Sequence, residues 1–230
     1  MTSQSPNPPA RDDKAGHPQN YWAQSERAGL CDALERLGPQ APTLCEGWTA
    51  KDLAGHLIVR EGRPDAAIGI MIPAARGYTA RAQDKATQRP WSDVIMRIRS
   101  GPPRGSMMRL TKVDALANTI EYLVHHEDLL RAQPGWQPRN VDAEFENDLW
   151  AKLHQFAPRL MKSSPVAIDL VRANGDRLHA AQGTPGAGTV TITGSVIDLV
   201  MLAYGRHEHR AEFSGAQADV AAVKSASFGI

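Results

Sequence analysis

Apolar residues recur at helical spacing through the first half of the chain and alternate with polar ones in parts of the second. In YWAQSERAGLCDALERLG, Trp22, Leu30, Leu34 and Leu37 fall near one helix face, and Gly38 and Pro39 end the run. A first long helix therefore starts near Tyr21. After the linker PQAPTLCEGW, Thr49 stands where it can cap a second helix, with Asp52 completing a variant of the capping box. That helix carries LAGHLIVREG, with His56 in its middle. Between Arg63 and Gly105 the helical stretches PDAAIGIMIPAA and SDVIMRIRS are interrupted by Pro73, Pro90, Pro102 and Pro103, which predicts at least one more helix. The clearest helix runs from about Lys112 to Ala132. Its buried stripe is Val113, Leu116, Ala117, Ile120, Leu123 and Val124, and it stops before Pro134 and Gly135. These segments together predict a four-helix bundle.

The pattern changes near residue 138, where a domain boundary is expected. The connection GWQPRNVDAEF leads into the helix FENDLWAKLHQFAPRLM. VAIDLVRANG and DRLHAAQG then read as two short strands around an Asn-Gly turn, and TVTITGS as a third. The helix SVIDLVMLAYGR, a strand in EHRAEFSG and the helical DVAAVKSA follow. The predicted class is α+β: a bundle over 20–138, then a small C-terminal α/β domain over 139–230. Residues 1–19 hold few large apolar side chains and read as a disordered tail.

Composition narrows the choice of partners. With 42% hydrophobic and 22% charged residues and a net charge of +1, the 230-residue chain has no field to attract nucleic acid or a membrane surface. It contains no apolar run of spanning length, and its N-terminus lacks the apolar core of a signal peptide, so a cytoplasmic location is expected. Cys31 and Cys45 match no thiolate metal motif and are expected to be reduced packing residues.

The chemistry concentrates on the long helix. At about 100° per residue, Asp114, Glu121, His125 and Asp128 share a narrow sector. Glu121 and His125, four apart, can point a carboxylate and an imidazole into one small volume. His56, flanked by Leu53 and Leu57, is expected to face inward and to supply a third ligand. Three protein ligands leave open positions on a divalent cation, as in catalytic sites. The spacing Glu-x-x-x-His also occurs on solvated helix faces, where it contributes a few tenths of a kcal/mol. Asp128 can orient His125, whereas His126 points roughly 100° away and reads as a surface or supporting group. His17, His154, His179, His207 and His209 read as solvated or structural.

The segments GWTAKDLAGHL at 47–57 and NTIEYLVHHEDLLRAQPGW at 118–136 resemble the mycothiol-dependent maleylpyruvate isomerase-like family of the DinB-like metal-binding superfamily. VTITGSVIDLVMLAYGR is similar to that group's small C-terminal domain. The resemblance implies a DinB-like four-helix bundle holding a divalent metal, zinc by expectation, through His56, Glu121 and His125, with Asp52 and Asp128 as supporting acids. It also implies mycothiol as co-substrate, a small electrophilic substrate, and either thiol transfer or isomerisation by transient thiol addition. Arg206 in YGR matches a substrate-binding arginine, or is a cation closing its helix. The chain departs from the family in HHED, where His-Gly-x-Asp is usual, and in the arginines of its middle region, Arg76, Arg81, Arg97, Arg99, Arg104 and Arg109. A zinc-dependent hydrolase and a non-catalytic metal-binding protein are the alternatives, and both monomer and homodimer remain open.

Overall fold

The computed structural model describes residues 21–63, 65, 72–103 and 118–229. The expected tail, Asp114, Arg104, Arg109 and the first turns of the expected long helix lie outside the described residues. Five helices come first: α1 (Tyr21–Leu37), α2 (Ala50–Gly62), α3 (Arg76–Ala86), α4 (Trp91–Arg99) and α5 (Thr119–Arg131). There follow α6 (Ala143–Leu160), β1 (Ala167–Arg172), β2 (Arg177–Gln182), β3 (Thr189–Gly194), α7 (Val196–Ala203), β4 (Glu212–Ser214) and α8 (Gln217–Ser225). Among the described residues this is an α+β protein with a mixed four-stranded sheet ordered β2-β1-β3-β4. β1 runs antiparallel to β2 and parallel to β3, and β4 adds antiparallel at the edge. The Asn174-Gly175 turn closes the β1–β2 hairpin, with Gly175 at φ 92°, a conformation that glycine adopts without strain.

Two apolar cores form. One gathers Leu30, Leu34, Leu53, Leu57, Ile95 and Ile98 from α1, α2 and α4. The other packs Leu149, Leu153, Ile168, Leu170, Val190, Ile192 and Leu199 between α6, α7 and the sheet. Helix α5 belongs to both. Tyr122 and Leu129 enter the first core, while the expected stripe residues Ile120, Leu123 and Val124 enter the second. A helix apolar on two sides leaves little solvated face for its charged residues, and Glu127, Asp128 and Arg131 are buried in pairs.

Those pairs form a chain of ions across the molecule. Arg131 donates through Nε to Glu127 at 2.6 Å and through Nη1 to Asp198 of α7 at 2.6 Å. Arg139 donates to the other Glu127 oxygen at 2.6 Å and to both oxygens of Glu26 in α1 at 3.0 Å. His126 joins the same Glu26, with Nδ1 2.9 Å from its carboxylate. This corrects the surface reading of His126: the ring is 6% exposed and lies under α1. Gly29 makes that approach possible, because a Cβ there would meet the ring at 2.7 Å.

Candidate metal centre

Two helices and one loop build the site. The Asp52 carboxylate accepts from the Thr49 backbone N–H at 2.8 Å and from its hydroxyl at 2.6 Å, which fixes the start of α2. Asp52 thus completes the capping box expected at this helix end. One turn on, His56 is turned inward with Leu53 and Leu57 and lies against Trp48, the ring centroids 5.3 Å apart. Helix α5 then presents Glu121 and His125 to it. His56 Nε2 is 3.1 Å and His125 Nε2 is 3.3 Å from the same Glu121 oxygen. One donor atom from each of the three lies within 4.8 Å of the others.

Each group has a holder. His125 directs Nδ1 to Asp128 at 3.1 Å, so that the proton on this nitrogen leaves the Nε2 lone pair for a ligand. Arg206 in turn grips Asp128 with two nitrogens, Nε at 2.9 Å and Nη2 at 2.8 Å, and gives Nη1 to the Tyr204 carbonyl at 2.7 Å. In this arrangement Arg206 positions the acid behind His125. Sequence reasoning missed Arg60, whose Nε is 3.1 Å from Glu121 while Nη1 donates to Asn118 at 2.6 Å. It sits four residues after His56, so helical spacing placed it on the same face.

Cys45 was also missed. The loop before α2 is tied to α5 by the Leu44 N–H on the Asp128 carbonyl at 3.0 Å. This brings the Cys45 thiol to 3.2 Å from the Asp128 carboxylate and 3.8 Å from Arg206. The expected packing role therefore fits only Cys31, which is fully buried and whose thiol burial pushes up to about 11. Cys45, His125 and Asp128 form a second donor cluster. There, however, Arg206 occupies both Asp128 oxygens and its fixed charge opposes a cation. Glu121 is different: Arg60 and both imidazoles face one oxygen, no bond among the described residues takes the other, and the side chain is 26% exposed.

Electrostatics distinguish the two imidazoles. Burial brings the His56 pKa down, against the pull of Glu121, so this ring is neutral. Burial also works against a charged His125, but its bonds to Asp128, Cys45 and Glu121 outweigh it and hold the pKa well above the ordinary value. Burial would raise Glu121, yet His125, His56 and Arg60 keep it well below the carboxylate range. A carboxylate held ionised between two imidazoles is a setting that fits a dication. The two nitrogens and one oxygen donor suit zinc-type coordination.

Asp128 carries a measurable consequence. Burial raises its carboxyl, but the bonds from His125 and Arg206 outweigh that and bring it from 3.8 down to about 2. A depressed pKa contributes stability that is complete above the unfolded value and is lost as pH falls from about 4 towards 2. The side chain is 0% exposed, and the contribution is about 2 kcal/mol. Urea unfolding at pH 6 is expected to show Asp128→Asn less stable by about that amount, with the gap closing near pH 2. An equal gap at both pH values would rule this origin out.

The fold and this cluster together define an α+β protein with a His–Glu–His donor set where two cores meet. The fold resembles that of the mycothiol-dependent maleylpyruvate isomerase, with a TM-score of 0.54 and 16% identity over 85% of this chain and 91% of the isomerase chain. A histidine-to-alanine mutant of that enzyme gives a TM-score of 0.53 with the same identity and coverage. At such identity the likeness establishes a shared fold. No family profile and no curated protein sequence matches the chain. No described helix is long and apolar enough to cross a membrane.

Proposed function

We propose that this chain is a metal-dependent enzyme that activates mycothiol for transfer to, or isomerisation of, a small electrophilic substrate. In this reading residues 20–138, which hold the five described helices α1–α5 where four were expected, form a DinB-like bundle, and residues 139–230 form a small C-terminal domain. His56, Glu121 and His125 hold the metal, zinc by choice of donors. The observation that carries the proposal is the convergence of these three side chains in a chain with the isomerase fold. A bound divalent cation supplies Lewis acidity, favouring thiolate over thiol at neutral pH. The chain supplies the geometry. Asp128 fixes the His125 tautomer, Arg206 fixes Asp128, and Arg60 orients Glu121. Addition of the thiol sulfur to a conjugated double bond leaves a single bond free to rotate. The displaced electron pair rests on the conjugated carbonyl as an enolate. Elimination re-forms the double bond and returns the thiolate, whereas transfer keeps the sulfur–carbon bond and the enolate carbon takes the proton given up by the thiol.

Calorimetric titration with mycothiol tests this directly. Zinc-loaded protein is expected to bind mycothiol saturably, and protein stripped with EDTA to bind it at least about tenfold more weakly. Full zinc occupancy without thiol binding would end the thiol reading and favour hydrolysis by water activated at the metal.

A further inference from the structure

A cavity of about 690 Å³ lies in the C-terminal half, between the loop after α7, β4 and the end of α8. This is within the range of small-molecule sites. Its lining is chemically one-sided. His207, His209 and Lys224 contribute basic groups beside Arg206, whose charge is already paired with Asp128, and Phe213 and Phe228 are aromatic, with no acidic residue among the lining. Glu208 and Glu212 belong to the same stretch of chain but do not line it. Strand alternation accounts for Glu212, which falls between the lining residues Ala211 and Phe213.

Close packing and hydrogen bonds tie down the loops that form the walls. Gly205, at φ 76°, packs so closely on the C-terminal segment that a Cβ would meet the Phe228 carbonyl oxygen at 2.4 Å. The Ser163 hydroxyl donates to the Ser227 carbonyl at 2.9 Å, and the Gly229 N–H to Leu160 at 3.3 Å. On the opposite wall the Ala211 N–H donates to His209 Nδ1 at 3.2 Å, which leaves the proton of the neutral ring on Nε2 as a donor. Burial keeps that ring neutral by lowering its pKa. Lys224 Nζ lies 5.0 Å from the Phe213 ring centroid, so a cation and an aromatic face adjoin.

We propose that this cavity binds a small organic acid with a carboxylate on a flat, unsaturated body. Lys224 and the His209 Nε2–H take the carboxylate, and Phe213 and Phe228 take the body. Pairing a carboxylate with an ammonium and a fixed N–H is among the stronger polar contacts available, and an aromatic lining favours a planar partner. The cavity shares Arg206 with the support of the metal cluster, but the ligand contacts are assigned to Lys224 and His209, so the proposal stands whether or not the thiol reading holds.

Ligand-observed fluorine NMR tests the proposal, using para-fluorobenzoate as probe and para-fluorobenzamide as its neutral counterpart. The full chain is expected to bind the acid saturably, the amide at least about tenfold more weakly, and the acid unchanged in the presence of EDTA and in Glu121→Gln. Lys224→Gln, an exposed change at a helix end, is expected to weaken the acid about tenfold. Binding abolished by EDTA and kept in Lys224→Gln would place the acid at the metal cluster and overturn the proposal. Equal affinity for acid and amide, or no saturation by on the order of 10 mM, would also overturn it.

Discussion

Alanine at His56, Glu121 or His125 is expected to lower zinc affinity by on the order of a hundredfold or more. Structural zinc sites with four protein ligands bind with roughly 10–16 kcal/mol, so one ligand accounts for about 3 kcal/mol, or more than a hundredfold in Kd. His125→Ala carries a second effect, because Asp128 and Glu121 both face this ring. Its loss removes one partner from each, while Asp128 keeps Arg206 and Glu121 keeps Arg60 and His56, so this variant is expected to lose a modest amount of stability as well as metal. Asp128→Asn keeps all three ligands and, besides its cost in stability, loosens the holder of His125, and is expected to cost 10–100-fold in metal affinity. Competition against a chromogenic chelator gives the affinities for the parent and all four variants. If the ligand variants matched the parent, the cluster would be an ordinary ion-pair network.

How far the sequence disclosed this site depends on whether each contact is local. His56 could be aimed inward because Leu53 and Leu57 on either side of it fix the buried face of α2. Glu121 and His125 could be paired because four residues of helix set their separation. The strands were legible for the same reason: Val190 and Ile192 alternate with threonines, and an Asn-Gly pair marks the preceding hairpin. Other contacts had no local signal. Cys45 reaches Asp128 across 83 positions because a loop is tied to the next helix layer, and His126 reaches Glu26 across 100. Helix α5 also misled the stripe argument. Its apolar residues marked one face, but its polar residues are buried too, each satisfied by a partner that periodicity cannot name.

The largest loss of folding stability is expected at Arg131, in that same polar set. Its side chain is 1% exposed, and those of its partners Glu127 and Asp198 are 2% and 5% exposed. Truncation does not orphan both acids equally. Glu127 keeps Arg139, whereas Asp198 is left with the Ser195 hydroxyl at 2.8 Å. The Glu208 carbonyl loses its 2.7 Å donor, and the Trp136 ring loses a guanidinium 4.6 Å from its centroid. Breaking a buried pair from one side costs about 3–5 kcal/mol, mostly through the charge left behind, and Arg131→Met is expected to fall in that range. If the orphaned Asp198 is the main cause, Asp198→Asn in the Arg131→Met background restores part of the loss, although Asp198→Asn alone destabilises the parent. Arg131→Lys keeps the charge but not the fork that reaches two carboxylates and a carbonyl, so it falls between the parent and Arg131→Met. Urea unfolding of the four proteins gives the coupling, and a loss below about 1 kcal/mol in Arg131→Met would reduce the network to the worth of a surface pair. The network joins α5 to α7 and, through Arg139, to α1. Arg131→Met is therefore also expected to weaken the hold of the C-terminal half on the helix that carries Glu121 and His125.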